Sequence, residues 1–152
     1  MRVLIFEGDR TVLRPLFREA DDSDRAIDGY LQAGEVFVAE DRGELVGELQ
    51  LVGGESGEVE LKSLAVAGDR RGGGVGSALV AAAVERCREQ GIRRMIVSTA
   101  AADTRNLRFY QLQGFRMLRV ERDAFGPDQG YAEGIVIDGI PLRDRIWLDR
   151  EL

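Results

Sequence analysis

The chain has 152 residues, 44% of them hydrophobic and 32% charged, and its net charge of −6 at pH 7 disfavours a nucleic-acid partner because phosphate backbones repel it. It has no histidine and a single cysteine, which excludes an intramolecular disulfide and the usual zinc and Cys/His catalytic sites, so no metal is expected. No apolar run is long enough to cross a membrane and the amino terminus lacks a secretory signal, so we expect one cytoplasmic domain over residues 1–152 without a membrane partner.

The first half of the chain predicts two helices and an antiparallel meander of strands. Pro15 in the first turn of one helix, Ser23 as the N-cap of the next and Gly34 at its end mark the helix boundaries. Residues 41–44 separate two β-rich runs and favour a hairpin. In chain order the predicted elements are a strand at 2–6, helices at 13–20 and 24–33, and strands at 36–40, 45–52 and 59–66.

The second half predicts a strand-helix-strand crossover followed by a helix and two more strands. The predicted helices are at 77–90 and 104–113, and each is terminated by the glycine that follows it, Gly91 or Gly114. The predicted strands are at 95–99, 115–122 and 144–152. Because a helix separates the strands at 59–66 and 95–99, these two should be parallel neighbours. The predicted fold class is therefore a mixed α/β sheet, mostly antiparallel, with one central parallel pair.

A glycine-rich turn between the strand at 59–66 and the helix at 77–90 carries the strongest chemical signal. Residues 71–77 read RGGGVGS, and Arg70 adds a second positive charge. Successive glycines let backbone N–H groups converge on an anion, and the following helix points the positive end of its dipole at the same place. A tight turn alone would need fewer glycines. An ATP-binding P-loop would need a lysine before Ser77, and the dinucleotide-binding glycine spacing fits only approximately.

Two segments resemble the GNAT superfamily of N-acetyltransferases. Residues 71–76 match its Arg/Gln-x-x-Gly-x-Gly/Ala signature, and residues 106–115, NLRFYQLQGF, resemble its Asn…Tyr-x-x-x-Gly-Phe element, although fewer residues separate Asn106 from Tyr110 than is common. The resemblance covers residues 36–120 well and the two ends more loosely. It implies a GNAT-like sheet splayed around acetyl-CoA, which would be the co-substrate.

The resemblance also implies how this chain would hold the cofactor. The loop amides would bind the coenzyme A pyrophosphate, and the strand before the loop would bond the pantetheine arm through its backbone at Leu64 and Val66. An amide of Leu64 or Ala65 would polarise the thioester carbonyl. The implied cofactor-binding residues are Leu64, Ala65, Val66, Arg70, Arg71, Gly72, Gly73, Gly74, Val75, Gly76, Ser77, Asn106 and Tyr110.

Acetyl transfer to an amine requires a base, because an alkylamine with pKa ~10.4 is mostly protonated at neutral pH. Glu60 is the candidate, since its spacing from Val66 resembles that of the basic glutamate of related histone acetyltransferases, and Glu58 and Glu48 are reserves. A structural ion pair between Glu60 and Lys62 is an equal alternative, because residues two apart in a strand share a face.

The leaving thiolate needs a proton or a hydrogen bond, and Tyr110 resembles the general acid of the family. The alternative is an ordinary core tyrosine beside Phe109. Cys87 falls on the apolar face of its helix and is expected to be a buried core residue. No acetyl-cysteine intermediate is therefore expected, and direct attack through a ternary complex is favoured.

The acceptor is expected to be a primary amine of a small molecule or a peptide. The first helices and the segment 121–145 would line its pocket. Acidic residues between 19 and 28 would attract a polycationic amine or form a solvated helix face. Arg143 and Asp144 would pair with each other or with a second subunit in a possible homodimer. A non-catalytic acyl-CoA-binding module and a nucleotide-triphosphate enzyme are the competing functions.

Overall fold

The computed structural model describes all residues from Met1 to Leu152, and their contacts group them into two units, Met1–Arg93 with Leu152, and Arg94–Glu151. The elements of the first unit are β1 (Arg2–Ile5), α1 (Arg14–Ala20), α2 (Asp24–Tyr30), β2 (Glu35–Asp41), β3 (Glu44–Gly53), β4 (Glu58–Val66) and α3 (Val75–Glu89), with short 3₁₀ turns at Arg10–Leu13 and Gly68–Arg70. Every helix and strand predicted in residues 1–93 is present.

The strands of the first unit form an antiparallel sheet in the order β1-β2-β3-β4. The predicted hairpin joins β2 to β3, and its two central residues, Arg42 (φ 52°) and Gly43 (φ 81°), both have the left-handed conformation that suits the strand twist. The pairing of β3 with β4 contains a β-bulge: Gln50 lies opposite Ser63 and Leu51 opposite Leu61, so that Lys62 is an extra residue on β4.

Helix α2 begins as predicted and ends earlier than predicted, at Tyr30 rather than at residue 33. Ser23 Oγ caps it by accepting a hydrogen bond from Ala26 N–H at 3.1 Å. The guanidinium of Arg10 donates to three carbonyls just beyond the helix, those of Leu31 (3.1 Å), Ala33 (2.7 Å) and Gly34 (2.7 Å). A side chain from a distant part of the sequence thus fixes the segment in a turn, which local propensity does not reveal.

The two faces of β3 have different partners. A Cβ atom added to Gly47 would lie 2.9 Å from Val75, so this face packs against α3. Alternate strand residues point to opposite faces, and Glu48 and Gln50 therefore point away from α3. Gln50 Nε2 donates to the carbonyl of Tyr30 at 2.6 Å, which places the end of α2 on that side. The buried core on that side is formed by Leu13, Leu16, Phe17, Ile27, Leu31, Val36 and Val38.

The elements of the second unit are β5 (Arg94–Ala100), α4 (Thr104–Leu112), β6 (Arg116–Glu121), β7 (Val136–Ile137), β8 (Ile140–Pro141) and β9 (Arg145–Glu151), with a 3₁₀ turn at Pro127–Gln129. Strand β9 lies between β5 and β6 and is antiparallel to both. The helix and the three long strands were predicted, whereas the β7–β8 hairpin was not. None of the helices combines the length and apolarity that a membrane span requires.

Candidate active site

The glycine-rich loop turns sharply into α3 and leaves backbone donors unused by the helix. Gly72 (φ 80°) and Gly74 (φ 87°) both have left-handed conformations, and a Cβ atom on either would meet nothing within 4 Å. The first helical bond runs from Ala78 N–H to Gly74 C=O at 3.0 Å. The amides of Val75 and Gly76 therefore have no helical acceptor, and they point from the positive end of the α3 dipole. This arrangement suits a phosphate group.

The two arginines beside the loop are already held by carboxylates. Arg70 forms an ion pair with Asp41 in the β2–β3 hairpin, and its hydrogen bond is the main cause that lowers the pKa of the Asp41 carboxyl. Arg71 Nη2 lies 2.7 Å from Glu19 Oε2, and its Nε donates to the carbonyl of Val66 at 3.3 Å. These carboxylates therefore neutralise much of the positive charge that the two arginines bring to the loop. The backbone amides are left as the donors that a phosphate would meet first.

A buried polar cluster lies beside the strand that precedes the loop. Glu48 is 0% exposed and lies directly opposite Ala65 in the β3–β4 pair. Its Oε1 accepts a hydrogen bond from Ser63 Oγ at 2.6 Å, and its Oε2 has no partner. Burial raises the pKa of Glu48 to about 8, although the bond from Ser63 opposes the change. The carboxyl group is therefore mostly neutral at pH 7.

Gln50 completes this cluster. It is also 0% exposed, its Nε2 donates to the carbonyls of Tyr30 and Ala33, and its Oε1 has no partner. Glu48 and Gln50 are two residues apart and share a face of β3, so two unpartnered oxygens lie on one buried face. From the sequence, Glu48 was only a reserve candidate for the base, and Ser63 and Gln50 were not identified. The available signal was a pair of polar residues at alternate positions of an otherwise apolar strand.

Glu60 and Lys62 do not form the ion pair that the sequence left open. Glu60 is half-buried on β4 opposite Val52. Lys62 is exposed, and its Nζ lies 5.1 Å from the centre of the Tyr30 ring, a cation–π contact. Tyr30 in turn donates from its hydroxyl to Asp21 Oδ2 at 2.8 Å. The extra residue in β4 explains the difference, because a bulge changes the direction in which its side chain projects.

Cys87 is fully buried, as predicted. Its pKa is raised to about 11, mainly by burial and also by the nearby charge of Glu35. The side chain is therefore a neutral thiol at physiological pH, and a thiol is a poor nucleophile compared with a thiolate.

The second motif lies in the second unit. Asn106 is exposed near the start of α4, where its backbone N–H donates to Asp103 at 3.1 Å and its Nδ2 donates to Thr99 Oγ1 at 3.4 Å. Tyr110 is 6% exposed on the same helix. Its ring makes edge-to-face contacts with Phe109 and Phe115, with ring centres 5.3 and 5.6 Å apart. The ring of Tyr110 is therefore held in place by packing against its two aromatic neighbours.

The segments expected to line the acceptor pocket are organised by local ion pairs. In the first unit Asp24 pairs with Arg18 at 2.8 Å and Asp28 with Arg14 at 2.5 Å. These pairs favour the solvated helix face over a polyamine-binding strip. Of the two alternatives for Arg143 and Asp144, the pairing with each other is not formed: Arg143 Nε donates to Asp123 Oδ1 at 2.9 Å, while Asp144 accepts from the Asp123 backbone N–H.

A protein-family model described as the Acetyltransferase (GNAT) family matches residues 6–115. The chain belongs to this family. The matched range contains both the glycine-rich loop and the motif of α4, which are the segments that carried the resemblance in the sequence.

Similar proteins agree with the GNAT assignment. A relative named uncharacterized N-acetyltransferase YvbK, from Bacillus subtilis, is 31% identical over 151 residues, which cover 98% of this chain and 96% of that protein. A solved structure named IAA acetyltransferase, from Bacillus cereus, has a TM-score of 0.88 at 32% identity and covers 99% of this chain and 100% of its own. A Bacillus subtilis acetyltransferase solved in complex with CoA has a TM-score of 0.90 at 30% identity and covers 99% and 98%.

These comparisons establish a GNAT acetyltransferase that uses acetyl-CoA. They also confirm the predicted fold class, a mixed α/β fold whose sheet is mostly antiparallel with one parallel pair. An acetyltransferase is therefore favoured over a nucleotide-triphosphate enzyme and over a module that only binds acyl-CoA.

Proposed function

We propose that this GNAT enzyme transfers the acetyl group of acetyl-CoA to a primary amine of a small molecule or a peptide, by direct attack in a ternary complex. The observation that carries the proposal is the buried carboxyl group of Glu48 opposite Ala65, in a strand pair that runs into the glycine-rich loop. In its ionised form this carboxyl group would be a proton acceptor beside the strand that would present the thioester, which amine acetylation needs and cofactor binding alone does not.

The backbone amides of residues 71–77 would hold the pyrophosphate of CoA. Support comes from the left-handed glycines, which keep side chains out of the loop, and from the amides at the start of α3 that no helical carbonyl accepts. Leu64 and Val66 would bond the pantetheine arm through their backbones. Arg70 and Arg71 would hold the loop in shape through their carboxylate partners rather than grip the phosphates directly.

Two glutamates are candidates for the base. Glu60 is implied by its spacing from Val66, as in related histone acetyltransferases. Glu48 is favoured by its environment, because a base works best when its pKa lies near the operating pH and burial raises the pKa of Glu48 to about 8. Ser63 would orient the carboxyl group, and the unpartnered Oε2 would take the proton from the ammonium group.

The base is identified by comparing two isosteric variants across pH. If Glu48 is the base, kcat/KM rises with pH through an apparent pKa near 8, and Glu48→Gln removes this rise and lowers kcat/KM by roughly a hundredfold. If Glu60→Gln produces these changes and Glu48→Gln does not, Glu60 is the base. Glu44→Gln, at the exposed start of the same strand, is the control for loss of one negative charge.

Tyr110 is proposed as the acid that protonates the departing thiolate of CoA. Its family motif supports the role, and its packing between Phe109 and Phe115 would hold the hydroxyl in a fixed direction. Direct transfer is supported by the state of Cys87, a buried neutral thiol that is unsuited to carry an acetyl group.

The function is tested by measuring release of free CoA thiol from acetyl-CoA with a panel of primary amines, amino-terminal peptides and lysine peptides. We expect release that depends on one class of amine, initial-rate lines that intersect, and no acetyl adduct on the protein when the acceptor is omitted. Release at the same rate without any amine, or parallel initial-rate lines with an acetylated protein, would contradict the proposal.

A further inference from the structure

Lys62 is the only lysine in the chain, and it carries a positive charge that no carboxylate of the chain balances. Its neighbours Leu61 and Ser63 are 2% and 5% exposed, whereas Lys62 is exposed. Its Nζ contacts the ring of Tyr30 and forms no ion pair. An exposed lysine is usually only a solvated charge, so its surroundings decide what this one does.

The bulge in β4 turns Lys62 toward the face of the sheet that carries Glu48 and Gln50. Gln50 lies opposite Ser63, so these two side chains share that face. Gln50 Nε2 donates to the carbonyl of Tyr30, and Lys62 Nζ lies 5.1 Å from the centre of the Tyr30 ring. Both side chains therefore reach the same residue at the end of α2. In a regular strand, Lys62 would project to the opposite face from Ser63.

Tyr30 holds the ammonium group in place without neutralising it. The Tyr30 ring lies 6.1 Å from that of the buried Phe17, and its hydroxyl donates to Asp21 Oδ2 at 2.8 Å. The other oxygen of Asp21 accepts from Ser23 N–H at 3.0 Å. Each oxygen of Asp21 therefore already has a donor. A cation–π contact leaves N–H donors of the lysine available for an anion.

The position of Lys62 along β4 places it on the acceptor side of the thioester. Strand β4 ends at Val66 and continues into the glycine-rich loop. In the proposed function, the pantetheine arm extends from the loop back along β4, and the thioester lies at Leu64 and Ala65. Lys62 precedes Ala65 by three residues, roughly 10 Å of extended strand. It lies beyond the reactive end of the cofactor, whereas the phosphates lie in the opposite direction.

The same face of the sheet also offers acceptors that no donor of the chain uses. Glu48 Oε2 and Gln50 Oε1 are buried and have no partner. Oxygens of this kind suit the ammonium group of an acceptor, whereas Lys62 suits an anion. One face therefore presents complementary groups for a cation and for an anion, separated by roughly the length of a small amino acid with an extended chain.

We propose, on the basis of the proposed function, that Lys62 binds a carboxylate of the acceptor, so that the preferred acceptor is a small molecule with both a primary amine and a carboxylate. The amine would face Glu48 Oε2 and the carboxylate would face Lys62 Nζ. The positive charge of Lys62 would also disfavour an acceptor with several amines, because the second ammonium group would be repelled. Lys62 is then a specificity-determining residue and takes no part in proton transfer.

Calorimetric titration of the enzyme saturated with CoA measures acceptor binding without turnover, because CoA carries no acetyl group. The probes are glycine, 4-aminobutanoate and 6-aminohexanoate, each compared with its carboxamide. At least one acid should bind ten- to a hundredfold more tightly than its amide, the usual size of a charge-assisted hydrogen bond. Lys62→Gln should remove this difference by weakening only the acid, and Lys62→Arg should keep most of it. Acids that bind no better than their amides, or equal weakening of both by Lys62→Gln, would overturn the proposal.

The matched control is Arg88→Gln, which removes one exposed positive charge from α3, on the other face of the sheet. It should leave the ratio of acid to amide affinity unchanged. Thiol release from acetyl-CoA with the same six amines separates this subsite from the proposed function. Equal kcat/KM values for acids and amides would refute the role of Lys62 while acetyl transfer stands. Acids that bind through Lys62 but release no thiol would contradict the transfer function and leave the subsite in place.

Discussion

Glu48→Gln should make the enzyme more stable at neutral pH, and the size of the effect follows from the environment of this carboxyl group. The folded protein keeps Glu48 protonated up to a pKa of about 8, whereas an unfolded chain loses the proton near the ordinary value of 4.5. Between these two values the folded state holds one more proton than the unfolded state. The free energy of unfolding therefore falls as pH rises through this window.

Each pH unit in the window lowers the free energy of unfolding by about 1.4 kcal/mol. From pH 4.5 to pH 7 the wild-type chain should lose about 3 kcal/mol through this group, which corresponds to roughly 6–12 °C in melting temperature for a chain of this size. Glutamine has a similar shape and does not titrate. The stability of the variant relative to the wild type should therefore grow by about 3 kcal/mol over the same range.

The assay is urea unfolding of both proteins between pH 4.5 and 8, followed by circular dichroism. Comparing the two proteins cancels the contributions of other carboxyl groups, including Asp24 and Asp41, whose pKa values are lowered by hydrogen bonds from Arg18 and Arg70. A stability difference that stays constant across this range would refute the assignment of Glu48 as a buried, neutral acid. If the variant is more stable but catalytically impaired, the buried carboxyl group is maintained for activity at a cost in stability.

Three further predictions address the acid, the loop and the core. Tyr110→Phe should lower kcat by roughly a hundredfold, the usual size of a general-acid effect, and leave the affinity for CoA within about twofold, as measured by thiol release and calorimetry; an unchanged kcat would exclude the acid role. Gly74→Ala should weaken CoA binding about tenfold or more, because alanine is strained at a φ of 87° and its methyl group would enter the loop; unchanged affinity would place the pyrophosphate elsewhere. Phe17→Ala should lower the free energy of unfolding by about 3–5 kcal/mol, since Phe17 is 0% exposed in the core, and a loss below about 1 kcal/mol in urea unfolding would contradict that packing.

The regular elements and the loop were accessible from sequence because their signals are local. Helical periodicity predicted α3, and Gly91 and Gly114 marked the ends of their helices with left-handed conformations, at φ 74° and 91°. The phosphate-binding role of the loop could be predicted because a tight turn alone would need fewer glycines. The missed β7–β8 hairpin also had a local signal, since Asp138 (φ 49°) and Gly139 (φ 84°) form its two-residue turn.

The other features that were missed depend on tertiary contacts. The early end of α2 depends on Arg10, and the pairing of Arg70 depends on Asp41, almost thirty residues away in sequence. The raised pKa of Glu48 requires the helices that bury its face of β3. From the sequence, Glu60 was the candidate base by its spacing and Glu48 only a reserve. The fold is needed to distinguish a half-buried glutamate from one that has no exposure at all.

Whether the amides between Arg71 and Ser77 hold the pyrophosphate can be decided by calorimetric titration of the purified chain with CoA. We expect saturable heat with CoA, much weaker binding of pantetheine, which lacks the pyrophosphate, and loss of most CoA affinity in Gly74→Ala. The absence of heat with CoA at millimolar concentration, or equal affinities for CoA and pantetheine, would contradict it.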